Sequence, residues 1–171
     1  KNPALDRTTV MHIVDIEIHR LLGGTVDGGW PDGHEPEDDL HTLIEIVTDE
    51  GLRGIGSVFT NAALVEAGVE TLRPLWEGES ALEPERVSEK LRQSSFWQGR
   101  GGTLEHVISG IDIGLWDLLG KALGQPLSRL LGGSYRDRIR PYASILFDEP
   151  EPLKERLESI VARGFRAIKM K

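Results

Sequence analysis

Gly110-Ile111-Asp112-Ile113-Gly114-Leu115-Trp116-Asp117-Leu118-Leu119-Gly120-Lys121 is the stretch on which the fold turns. It lies inside a run from Thr103 to Leu123 that also holds Val107 and Ile108. Such a run is apolar almost all round, which predicts a helix buried on several sides. Gly110 and Gly114, one turn apart, leave a bare strip where a neighbouring element can approach closely. Asp112 and Asp117 on such a helix read as buried structural carboxylates rather than catalysts. Gly124 is the expected C-terminal stop, and Pro126 starts a short helix ending near Gly132-Gly133.

Upstream of this helix the hydrophobic period is two. Val10 to Leu22 alternates, with Val10, His12, Val14, Ile16 and Ile18 set against Asp15, Glu17 and His19, as in a half-buried strand. Gly23 to Asp39, rich in Gly, Pro and Asp, is too long for a tight turn and reads as a functional or a disordered loop. Strands are predicted over Leu40 to Thr48 and Leu52 to Phe59, joined as a hairpin by Asp49-Glu50-Gly51. Gly51, Gly54 and Gly56 therefore sit in a hairpin, not between a strand and a helix, so they form no nucleotide loop. The period then becomes 3.6. Asn61 caps a helix through about Leu72, which Pro74 is expected to end, and Pro84 opens another to about Ser94.

Downstream the grammar is strand, helix, strand: Arg138 to Leu146, Glu151 to Arg163, Phe165 to Lys171. One βαβ unit implies a parallel sheet. Residues 1–133 are thus expected to form one α+β domain, and 134–171 the start of another. Two parallel strands make no stable sheet, and a complete (β/α)8 barrel takes about 250 residues. The chain reads as the front part of a longer protein.

Bulk properties narrow the classes. The 171 residues carry a net charge of −8 without a basic block, which argues against nucleic acid and anionic membranes as partners. Without cysteine there is neither a disulfide nor a thiolate nucleophile. No apolar run approaches the roughly 20 residues of a membrane span, and the N-terminus lacks a secretion signal's apolar core. A cytoplasmic protein is expected.

Side chains alternate along a strand, so Lys169 and Lys171 share a face while Ile168 and Met170 take the other. Inside a barrel, two amines are costly unless they meet an anion, and repulsion with desolvation favours the neutral, basic form. The bland alternative is a surface strand with two solvated lysines. Tyr142 and Ser144 share a face of the preceding strand and offer hydroxyls, or else are ordinary hydrogen-bonded barrel residues. Trp30 and His34, in the long loop, are placed to close over a site, unless the loop is merely solvated. The five histidines show no metal-ligand pairing, so no metal ligand is assigned within this chain.

Asp49 to Gly56, Gly110 to Lys121 with Pro126-Leu127 and Leu131-Gly132-Gly133, and Gly164 to Lys171 together resemble the mandelate racemase/muconate lactonizing enzyme family of the enolase superfamily. The resemblance implies an α+β capping domain, a three-stranded antiparallel sheet plus a helical bundle, followed by a TIM-type (β/α)7β barrel. It implies a Mg²⁺ ion, with ligands C-terminal to Lys171, stabilising an enediolate formed by removing the proton α to a carboxylate. Lys171 matches the base and Lys169 the lysine that neutralises the substrate carboxylate. Ser144 falls where relatives place a substrate-contacting residue, Tyr142 shares its strand face, and the capping segments, with Trp30, His34 and residues 57–60, set specificity. The expected activity is acid-sugar dehydration or racemisation of a small carboxylate, in a homo-oligomer. A muconate-type cycloisomerase, an N-succinylamino acid racemase or a dipeptide epimerase stands second. A non-catalytic α+β interaction module is the reading from another class.

Overall fold

The computed structural model describes residues 10–22 and 41–171, which form two compact units, 10–22 with 41–133 and 134–171. The first unit opens with β1 (Ile13–Leu21), β2 (His41–Thr48) and β3 (Arg53–Val58). They form an antiparallel sheet in the order β1-β2-β3, with Gly51, at φ +78, closing the β2–β3 turn. Alternation continues cleanly through β2 and β3, where Ile44, Ile46 and Val58 are buried.

The alternation in β1 changes phase. Val10 and Val14 are exposed, whereas Met11 and Ile13 are buried together with Ile16. Val10, His12 and Val14 therefore do not share the buried face that an unbroken period of two assigns them. A register shift between Ile13 and Asp15 is the cause: the extra residue turns the side chains before it over to the other face. Before the shift, the chain still pairs with the end of β2 through Ile13 and Thr48, and it also bonds to residues 79–81. Ile13 N–H donates to the Glu79 carbonyl at 2.9 Å and Ala81 N–H to the Met11 carbonyl at 2.7 Å.

Of three helices, α1 (Ala62–Trp76), α2 (Pro84–Ser94) and α3 (Thr103–Leu123), α1 and α3 pack on the sheet and α2 packs against both of them. Asn61 caps α1, its Oδ1 accepting from Leu64 N–H at 3.0 Å. The helix does not stop before Pro74 but runs on to Trp76. A proline loses only its own N–H bond and clashes one turn back, at a cost of about 3 kcal/mol in a helix interior. Near the end of α1, this is offset by the burial of Leu72 and Trp76, both 0% exposed, and by a Trp76 Nε1–H bond to the Val69 carbonyl at 3.0 Å.

The central helix α3 meets β2, β3, α1 and α2. Val107, Ile108, Ile111, Leu115 and Leu118 are fully or almost fully buried, while Ile113, 46% exposed, marks its open side. Its contact with β3 is backbone against backbone. A Cβ on Gly56 would lie 2.0 Å from the Gly110 carbonyl oxygen, and one on Gly54 2.2 Å from that of Gly114. Polar bonds fix the same seam. Asp117 Oδ2 accepts from Ile55 N–H at 2.8 Å, and Lys121 Nζ donates to the Arg53 carbonyl at 2.8 Å. Asp112 accepts from the buried Ser88 hydroxyl at 2.6 Å. Both carboxylates are half-buried and structural. Gly124, left-handed at φ 61, ends the helix, and α4 (Leu127–Leu130) follows.

Glu79 joins the α1–α2 connection to α2 through Lys90 Nζ at 2.5 Å and an Arg86 nitrogen at 2.7 Å. The Lys90 hydrogen bond, followed by that from Arg86, holds its carboxyl below the ordinary value of 4.5. A depressed carboxylate stabilises the fold above its ordinary pKa, and the gain disappears as pH falls through the lowered value. Glu79→Gln is therefore expected to cost about 1 kcal/mol or less at neutral pH. It should also flatten the loss of stability on acidification below about pH 4.5. Urea titrations of both proteins between pH 2 and 7 check this, and parallel acid limbs would contradict it.

The second unit contains β4 (Ala143–Ile145), α5 (Pro150–Ala162) and β5 (Ile168–Met170). The two strands pair in parallel, as one βαβ unit requires. Both are shorter than Arg138 to Leu146 and Phe165 to Lys171. Pro141 has no N–H to give to a ladder, and Gly164, at φ +93, holds the turn that precedes β5. Among the described residues no helix is long and apolar enough to cross a membrane.

Candidate active site

The parallel register pairs Ala143 with Ile168, Ser144 with Lys169 and Ile145 with Met170. The ladder continues past the assigned strands: Lys171 N–H donates to the Ile145 carbonyl at 3.0 Å and Phe147 N–H to the Lys171 carbonyl at 2.9 Å. Residues opposite each other in a sheet project to the same side, and every second residue repeats that side. Ser144 and Lys169 thus share one face, which Lys171 and Tyr142 extend in the two directions. Ala143, Ile145, Ile168 and Met170 form an apolar opposite face.

Two hydroxyls and two amines therefore share one face of the parallel pair, with Tyr142 towards its N-terminal end and Lys171 at its C-terminal end. Tyr142 is 54% exposed, and Ser144, Lys169 and Lys171 are exposed as well. The expected enclosure of the amines is not seen in this two-stranded unit, which has no interior to bury them in. Neither lysine has a carboxylate partner among the described residues, so both ammonium groups are available to an anion. Trp30 and His34 lie outside the described residues.

In the first unit, the 57–60 segment is ordered by two contacts. The Thr42 hydroxyl donates to the Thr60 carbonyl at 2.8 Å. The His41 ring meets Phe59 edge-on at 4.8 Å between centroids. The sequence reading does not single out His41. The signal was the hairpin register, which places Thr42 opposite Val58 and so brings the two strand ends together.

Glu17, His19 and Glu45 are a second grouping that spacing alone misses. They gather on the outer face of the sheet because Glu17 and Glu45 are cross-strand partners and His19 lies two residues on. Their ligand atoms fall within 4.8 Å of one another, the one such group among the described residues. Arg53 already fills the cation position. One guanidinium nitrogen donates to Glu17 at 2.9 Å and to Glu45 at 2.8 Å, and the other to Glu17 at 3.0 Å. The Arg53 hydrogen bond is what lowers the Glu17 carboxyl below its ordinary value. Mg²⁺ demands near-octahedral oxygen ligation, and a site with an imidazole and a resident guanidinium does not fit it. In residues 134–171 no group of carboxylates converges near the lysine face.

Comparison with known proteins supplies the family. Residues 37–132 match the model of the mandelate racemase/muconate lactonizing enzyme N-terminal domain. The chain is 36% identical over 130 residues to a D-galactonate dehydratase of Verminephrobacter eiseniae, covering 75% of this chain and 34% of that protein. Among solved structures, it is similar to the 3,6-anhydro-D-galactonate cycloisomerase of Zobellia galactanivorans. That match has a TM-score of 0.77 and 31% identity over 93% of this chain and 42% of the other. It is also similar to a mandelate racemase/muconate lactonizing protein of Paracoccus denitrificans complexed with magnesium. Here the TM-score is 0.74 and the identity 25%, over 94% and 42% of the two chains. The chain spans about a third of the length of the curated relatives it matches. The antiparallel sheet, the α3 seam and these matches agree: the chain belongs to the mandelate racemase/muconate lactonizing enzyme family of the enolase superfamily, and its first unit is that family's N-terminal capping domain.

Proposed function

We propose that this chain is the front part of a Mg²⁺-dependent enzyme that removes the proton α to a carboxylate, most simply as an acid-sugar dehydratase. The observation that carries this reading is the shared face of Ser144, Lys169 and Lys171 across the parallel pair. Similarity to a D-galactonate dehydratase favours a polyhydroxylated acid as substrate. In this reading residues 1–133 are the capping domain and 134–171 begin a (β/α)7β barrel.

Each residue then has a role. Lys171 takes the α-proton on its amine nitrogen, and the C–H electron pair moves towards the carboxylate as an enediolate. The Lys169 ammonium pairs with that carboxylate, whose charge grows as the proton leaves, so the stabilisation is largest at the transition state. The Ser144 and Tyr142 hydroxyls bond to the substrate's oxygens. Departure of the β-hydroxyl as water needs a proton donor on the far side of the substrate. Neither that donor nor the Mg²⁺ ligands are among the described residues. Trp30, His34 and residues 57–60 set specificity, and the enzyme works as a homo-oligomer on a small-molecule carboxylate.

Similarity to the Zobellia cycloisomerase favours cycloisomerisation as the second reading. Both are tested by incubating the full-length protein with a panel of sugar acids that includes D-galactonate and 3,6-anhydro-D-galactonate. Consumption of one acid, lost on chelation and restored by Mg²⁺, is the expected result. Turnover that persists unchanged in a chelator contradicts metal dependence, and inertness towards every acid contradicts the substrate class.

A further inference from the structure

Charge is segregated along the chain. Residues 134–171 hold nine Lys/Arg against six Asp/Glu, a net of +3 in a chain whose total is −8. Part of the excess collects at the N-terminal ends of both strands of the second unit, opposite to the end that carries Lys171. There Arg140, Arg163 and Arg166 line one cavity of about 230 Å³ together with Pro141, Gly164 and Phe165.

Ion pairing divides the arginines of the chain into two groups. Arg53, Arg73, Arg86, Arg92 and Arg156 each pair with a carboxylate. Arg140, Arg163 and Arg166 have none among the described residues. The Arg163 guanidinium instead lies over the Phe165 ring, 5.5 Å from its centroid, which restrains it without neutralising it. Gly164, at φ +93, holds the tight turn between Arg163 and Arg166, both of which line the cavity. Three like charges around one space repel one another. An anion placed among them removes that repulsion and takes up forked N–H donors suited to a planar or tetrahedral oxyanion.

We propose that this cavity binds a phosphate group, free or carried by a small molecule. Three guanidinium groups match the charge of about −2 and the three acceptor oxygens of a phosphate better than a single carboxylate. The site lies at the opposite end of the strands from the lysine face, and the inference does not rest on the proposed reaction.

Isothermal titration of the full-length protein with inorganic phosphate and with glycerol 3-phosphate, at constant ionic strength set by NaCl, tests it. Saturable binding of either probe is expected. The stronger of the two tells whether the natural ligand is the free ion or an ester. Arg163→Gln/Arg166→Gln should weaken that binding roughly ten-fold or more, since charge-assisted bonds are lost, and Arg140→Gln should weaken it in the same direction. Circular dichroism of each variant verifies that the fold is kept. Absence of binding, binding unchanged in the folded variants, or binding of a hexaglutamate peptide in preference to phosphate would each overturn the proposal.

Discussion

Lys171→Ala in the full-length enzyme is expected to abolish exchange of the substrate's α-proton in D₂O, a loss of roughly 10²–10⁴-fold for a removed general base. The residue ends a strand whose ladder bonds reach it on both sides: its N–H donates to Ile145 and its carbonyl accepts from Phe147. The backbone is therefore held, and truncating the side chain removes the amine without removing the strand. Lys169→Ala provides the contrast. In the proposed mechanism it removes the charge that pairs with the substrate carboxylate, so it should depress both exchange and substrate affinity, whereas Lys171→Ala should leave affinity largely intact. Exchange at the wild-type rate in the Lys171 variant would sink the base assignment, whatever the fate of overall turnover.

The second large effect is structural. Gly56→Ala sets a Cβ 2.0 Å from the Gly110 carbonyl oxygen and 2.9 Å from its carbonyl carbon. No rotamer relieves a clash between two backbones, so α3 must move off β3. That movement opens gaps beside Ile44 and Val58, whose side chains pack against the same glycines, and beside Ile46, which packs against Gly114. Overpacking costs about 1–3 kcal/mol when side chains can adjust, and this site belongs at or above the top of that range. Gly101→Ala is the control, because a Cβ there meets nothing within 4 Å. Urea midpoints should fall steeply for the first variant and barely move for the second. Equal midpoints would refute the backbone seam.

Much of the fold was legible in the sequence because composition and chain geometry agree. The apolar run Thr103 to Leu123 matches α3 residue for residue, and Gly110 with Gly114 did foretell a close neighbour. Legibility failed wherever the deciding term lies across the fold rather than along the chain. The phase of β1 depends on a register shift against β2. The length of α1 depends on the burial of Trp76, which local helix rules with Pro74 do not contain. The Glu17–His19–Glu45 group exists only once two strands are paired. The lysine face shows the other side of this rule. Spacing put Lys169 and Lys171 together, but only the register brought Ser144 beside Lys169. Trp30 and His34 fall in a stretch of sequence without periodicity, where residue pattern carries little positional information.

The glycine seam also bears on how the molecule assembles. Gly56 and Gly110 are separated by the whole of α1 and α2, so their contact closes a long loop. Loop closure costs entropy that only later contacts repay, and such non-local docking is slow compared with the formation of a local hairpin or helix. The β2–β3 hairpin and the helices have the means to form early, with the seam locking last. Until it does, the apolar side of α3 remains open to solvent, and the nascent chain is at its most vulnerable to self-association.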